Sequence, residues 1–257
     1  MSVTAVMTPQ AIAAFIAETI DPVFATIDAW RDILEAELTG DEEPTAAYVD
    51  PIVSALVHPA LEGPGLITGA GFVAAPGYFA DAHWHLAWWL AGNGTRSAGG
   101  VRRLEAESDP ESENFRDYTG LEWWRVPART GTRHLTGPYV DYVCTDDYTI
   151  TVTTPVRVAG EMVGVVGTDA YAARLEQELR QVIRGAGTPC AVVNASGRVV
   201  TATESRREPG SMLRIDGLAE ALAPLREADP AGVSVVLSGG QTVLACGDTS
   251  LALVTGV

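Results

Sequence analysis

The stretch Tyr148-Thr149-Ile150-Thr151-Val152-Thr153-Thr154 decides the fold class. Tyr148, Ile150 and Val152 alternate with Thr149, Thr151 and Thr153, the two-residue period of a β-strand, and β-branched side chains dominate. Ala159-Gly160 is a turn pair, and the apolar residues 162–166 read as the returning strand. The segment is therefore expected to be a β-hairpin.

Working outward, residues 170–183 place Leu175, Leu179, Val182 and Ile183 on one helical face. Residues 185–189 contain two glycines and a proline and read as a boundary. Beyond it, strands are expected at 190–194 and 198–202, joined by the turn Ala195-Ser196-Gly197. A helix at 217–228 and strands at 233–237, 241–246 and 251–255 complete a half-size antiparallel sheet with a helix on one face. Before the hairpin, residues 122–129 read as a short helix and 107–114 as an acidic loop. Strands are expected at 65–74, 83–90 and, more weakly, 101–106. The first 60 residues read as helical, with one stripe of Ile12, Phe15, Ile16 and Ile20. Phe24, Ile27, Trp30 (or Ile33), Leu34 and Leu38 continue it. Asp21-Pro22 predicts a restart or kink, and Asp50-Pro51 a second helix start. The expected organisation is an α/β (α+β) chain: a helical segment at 1–60, a main antiparallel module at 61–186 and a smaller one at 187–257.

Of 257 residues, 47% are apolar and 19% charged, which fits a packed globular core rather than a disordered chain. The net charge of −16 argues against direct contact with nucleic acid or an anionic membrane face and would attract a cation. All 17 basic residues are arginine, which excludes lysine-dependent Schiff-base and P-loop chemistry. Cys144, Cys190 and Cys246 are odd in number and far apart, so neither a zinc ribbon nor a disulfide framework is expected. No 18 apolar residues run together and no basic-then-apolar leader opens the chain. The expectation is a cytoplasmic protein with no membrane contact.

Residues 118–179 carry a further signal. Trp123-Trp124 and Ala128 precede Gly137-Pro138-Tyr139-Val140-Asp141. The hairpin strand Thr149 to Val156 follows, then Gly164-Val165-Val166-Gly167-Thr168-Asp169. This order of aromatic pair, proline-tyrosine-x-aspartate, hairpin and strand-end aspartate resembles the membrane-distal module of double Cache (PAS-like) sensor domains. The match covers about a quarter of the chain. The resemblance implies two PAS-like modules and a pocket on one sheet face closed by the aromatic helix. In amino-acid-binding members the strand-end aspartate holds the ligand amine; Asp169 matches it, and Asp141 matches the loop aspartate. An arginine two residues before the aromatic pair grips the ligand carboxylate in those members; here that position is Leu121, and Arg125 would point elsewhere.

The ligand-binding set expected from this reading is Tyr118, Trp123, Trp124, Tyr139, Asp141 and Asp169. Two close carboxylates repel unless a cation lies between them, and indole faces give that cation an unreactive wall. The expected function is a non-enzymatic sensor of an amine, amino acid or similar small cationic or zwitterionic molecule, with no cofactor. Its signal would pass to a separate output protein, and the long helical stripe suggests a homodimer. The alternative from another class is a metal-dependent hydrolase using His83 and His85, whose spacing on a strand puts both rings on one face. A purely structural dimerisation protein is a third reading.

Overall fold

The computed structural model describes residues 7–40, 43–63, 65–92, 100–141, 148–229, 231 and 233–257. Cys144, and the leader question at residues 1–6, lie outside these described residues. The hairpin forms as β5 (Tyr148–Val158) and β6 (Glu161–Tyr171), antiparallel, with Val158 opposite Glu161. Ala159 at φ 51° and Gly160 at φ 88° make the connecting pair. Two consecutive positive φ values match the right-handed twist of the flanking strands.

Around the hairpin lie β1 (Ile67–Ala74), β2 (Leu86–Leu90), β3 (Arg102–Arg103) and β4 (His134–Val140). The six strands run in the order β3-β2-β1-β6-β5-β4, all antiparallel. A second sheet holds β7 (Cys190–Asn194), β8 (Val199–Ala202), β9 (Ser234–Val236), β10 (Thr242–Ala245) and β11 (Leu251–Thr255), in the order β8-β7-β11-β10-β9. The fold is thus mixed helix and antiparallel sheet, with helices leading two sheets.

Each face of the large sheet has its own cover. Helices α1 (Pro9–Leu38) and α2 (Ala46–Glu62) lie on the face carrying Phe72, Ala87, Ile150, Val152 and Val166. The other face carries Val73, Trp88 and Val165 beneath α3 (Glu122–Thr130), whose Trp123 and Trp124 are buried there. The alternation of isoleucine and valine with threonine along β5 is therefore an alternation between two buried faces. Helix α4 (Ala172–Ile183) leads to the second sheet, and α1 packs against β5, β6, β10 and β11, so its stripe serves both sheets.

Several boundaries differ from expectation. Helix α1 runs unbroken through Pro22, which sits on the exposed side, where water can take up a freed carbonyl. Phe15 and Ile33 are exposed, so the buried stripe follows Ile12, Ile16 and Ile20, then Trp30 and Leu34. Thr45, not Asp50, caps α2, with Pro51 and Pro59 inside the helix. β2 begins only at Leu86, so His83 and His85 precede the strand rather than share its face. Helix α1 also has the length and apolarity to cross a bilayer, with mean hydropathy 1.3 over 18 residues. Counting uninterrupted apolar residues misses this because Glu18 and Asp21 break the run.

Candidate functional site

Asp169, near the end of β6, stands opposite Thr151 of β5 on one side and Gly69 of β1 on the other. Their side-chain positions face α3, where a narrow cavity of about 10 Å³ lies between sheet and helix. Its polar lining is Asp141, Asp169, Thr151 and Tyr139. Trp88, Trp123, Val73 and Leu86 form the apolar walls.

Two glycines make this possible. An added Cβ at Gly71 would lie 2.7 Å from Trp88 Cα and 2.9 Å from its ring carbon Cε3, so β1 must be bare there for β2 to bring Trp88 in. A Cβ at Gly69 would lie 2.9 Å from Trp88 Nε1 and 3.0 Å from Asp169 Oδ2. The space beside the carboxylate is open only because Gly69 has no side chain.

The carboxylate is held on one oxygen and left open on the other. Thr151 Oγ1 donates to Asp169 Oδ1 at 2.6 Å, and the Tyr139 hydroxyl lies 2.7 Å from the same Thr151 oxygen. Since the threonine proton goes to Asp169, Tyr139 donates to Thr151. Asp169 Oδ2 and Trp88 Nε1 are both buried without a hydrogen-bond partner, although they flank the same gap. The indole N–H is near enough to pull the acid's pKa down a little, but outside hydrogen-bond geometry. Burial, followed by the charge of Asp141, outweighs the Thr151 and Trp88 contacts and raises the Asp169 pKa to about 7. Asp141 is itself buried. Among the described residues the lining contains no arginine or histidine to balance these carboxylates.

Of the six residues expected at the site, Trp123, Tyr139, Asp141 and Asp169 line this cavity. Tyr118 and Trp124 do not. Adjacent helical residues point about 100° apart, so Trp123 and Trp124 cannot both face one cavity. Tyr118 stacks on Trp123 at 6.1 Å between ring centroids and lies 5.3 Å from Trp124. Its hydroxyl donates to the Ala74 carbonyl at 2.7 Å, and burial pushes the phenol up to about 12. Tyr118 and Trp124 therefore form the packed backing of the Trp123 wall. Trp88, Thr151, Val73 and Leu86 were not anticipated. Gly69 and Gly71, two apart on β1, and Thr151, two from Thr149 and Thr153, carried the signal for that face.

Leu121 packs with the aromatic cluster, and Arg125 is exposed. The carboxylate clamp position is thus apolar. His83 and His85 have separate surroundings. His85 Nε2 meets Asp50 Oδ1 at 2.7 Å and its ring packs on Phe79, whereas His83 packs on Trp84. Arg103 also pairs with Asp50, and together these partners hold the Asp50 pKa down against the effect of its burial. Cys190 and Cys246 are free and buried.

Residues 98–177 match the family described as the methyl-accepting chemotaxis protein-like, first PDC sensor domain. Among solved structures, "Methyl-accepting Chemotaxis protein X" is similar at 18% identity and TM-score 0.62, over 96% of this chain and 94% of that one. The extracellular domain of the histidine kinase mmHK1S-Z3 matches at 15% and 0.59, over 96% and 92%. The ligand-binding domain of the Pseudomonas aeruginosa PAO1 amino acid chemoreceptor PctB, in complex with L-Arg, matches at 15% and 0.52, over 96% and 90%. No curated protein sequence matches the chain. Residues 98–177 thus resemble a PDC sensor domain, and the two antiparallel sheets behind a long leading helix share the fold of these Cache-type structures.

Proposed function

We propose that the cavity binds a small molecule carrying an ammonium group and no carboxylate, and that the chain is a non-enzymatic sensor reporting this ligand to a separate output protein. One observation carries the reading. Asp169 presents an open, buried carboxylate oxygen beside Asp141, in a cavity whose described lining holds no cation. An ammonium 4 Å from a carboxylate gains on the order of 4 kcal/mol at an effective dielectric near 20, before desolvation is subtracted. The Trp123 face adds roughly 0.5–2 kcal/mol by cation–π attraction. The PctB structure contains L-Arg, whose ammonium would fit the same logic. Leu121 at the clamp position disfavours the carboxylate that an amino acid also carries.

A thermal-shift screen of small amines against their amino-acid and carboxylate counterparts tests this. Amines should raise the melting temperature, with about 2.7 kcal/mol of added stability at 100 times the dissociation constant. Stabilisation by carboxylates alone would overturn the reading. The division into modules at 61–186 and 187–257 belongs to the same proposal. So does a homodimer through the side of α1 that exposes Phe15 and Ile33; a purely monomeric sedimentation profile at micromolar concentration would exclude the dimer. A cytoplasmic location draws no support from similar structures that include the extracellular domain of a histidine kinase.

A further inference from the structure

The two walls that close the cavity over Asp169 are both tied by hydrogen bonds to the chain that follows residue 187. One wall is α3. At its start, Glu122 Oε1 lies 3.0 Å from His134 Nε2, and the other ring nitrogen of His134 lies 3.3 Å from Ser250 Oγ. His134 and Ser250 are buried, and Ser250 sits at φ 62° in the turn between β10 and β11. At the other end of α3, Arg129 bonds the Glu227 carboxylate and the Arg226 carbonyl. The second wall is the segment bearing Tyr139 and Asp141. There Asn194 Nδ2, at the end of β7, donates to the Gly137 carbonyl at 2.7 Å. The Asn194 Oδ1 atom is already used locally, accepting from the Ser196 and Arg198 amides at 3.0 and 2.9 Å. Its amide nitrogen is thus directed wholly at the cavity segment.

We infer that the smaller module positions the binding cavity: Asn194 through Gly137, and Ser250 through His134, hold the Tyr139–Asp141 segment and the Trp123 helix in place against Asp169. Asn194 and Ser250 are positioning residues, since neither lines the cavity. The inference rests on the reading of the cavity as an ammonium site and extends it. A ligand that draws either wall toward Asp169 pulls on β7 and on the β10–β11 turn, so coupling runs both ways.

Two substitutions isolate the bonds. Asn194→Asp keeps the oxygen that caps the β7–β8 turn and replaces the donor to Gly137 with an acceptor oxygen that the carbonyl repels. Ser250→Gly removes the hydroxyl at a backbone angle that glycine accepts freely. The full chain is labelled with 5-fluorotryptophan and the Trp123 signal assigned by Trp123→Phe. In the ligand-free protein each variant should move the Trp123 resonance while leaving that of Trp30, on the opposite sheet face, in place. Calorimetry with propylammonium should show affinity reduced about tenfold in each. Unchanged Trp123 resonance and unchanged affinity in both variants would overturn the inference. If propylammonium fails to bind the parent while the Trp123 resonance still moves in the variants, the positioning role stands and the ligand reading fails.

Discussion

Gly69 and Asp169 face each other across β1 and β6, and a single added carbon at Gly69 would sit 3.0 Å from Asp169 Oδ2. The open carboxylate oxygen thus owes its space to a missing side chain on the neighbouring strand. Gly69→Ala should therefore weaken amine binding about tenfold or more while costing roughly 1–3 kcal/mol of stability. Calorimetry and urea melts measure the two separately. Undiminished affinity would show that the ligand does not use the gap beside Oδ2.

Asp169→Ala should abolish amine binding, a loss of roughly 2–5 kcal/mol for removing one partner of a buried charge pair. The variant should still melt cooperatively, because the Thr151 hydroxyl loses only one acceptor. Binding as tight as in the parent protein would refute the assignment of the site.

The ligand-free protein should lose stability as pH rises through the weakly acidic range. Asp169 titrates at about 7 in the fold and near 3.9 in an unfolded chain. Below about pH 4 both states hold the proton and the contribution is complete. Between about pH 4 and 7 the unfolded chain gives up its proton while the folded one keeps it, so stability falls. Amine affinity should rise over the same interval, since the ammonium binds the ionised form. Urea midpoints of the parent and of Asp169→Asn, compared from pH 4 to 8, test this. Parallel curves would mean that Asp169 does not titrate in this interval.

Trp123 and Trp124 should separate in their effects. Trp123→Ala removes an indole face from the cavity and should cost binding most. Trp124→Ala leaves a hole in the aromatic backing and should cost about 3–5 kcal/mol of stability, with affinity in the surviving folded protein near that of the parent. The reverse pattern, by calorimetry and thermal melts, would place the wrong indole in the cavity.

The hairpin was legible because β-branched alternation, a turn pair and an apolar return all agreed over residues 148–166. Strands β7 and β11 were legible for the same reason, their runs being bounded by turn residues. The extent of β2 was not, because His83, Trp84 and His85 suit a strand, whereas the ladder to β1 ends at Leu86 and the side chains of Trp84 and His85 are engaged by Tyr118, Phe79 and Asp50. Pro22 misled for a different reason: a long amphipathic helix held on two sheets tolerates a proline on its wet side. At the site, Asp169, Asp141, Tyr139 and Trp123 could be named from order along the chain. Trp88 could not, because its place depends on β2 pairing with β1 at Gly71, a register that no local pattern announces.

Helix α1 bears on the mechanics of unfolding. Its buried stripe touches strands of both sheets, and one apolar cluster takes in Phe72 and Val152 from the first sheet together with Val192 and Leu253 from the second. Severing the chain near residue 187 would strip α1 of its contacts with β10 and β11 and expose apolar surface on each fragment. Heat should therefore melt the two sheets together in one calorimetric transition, and either sheet expressed without the other should be prone to aggregate.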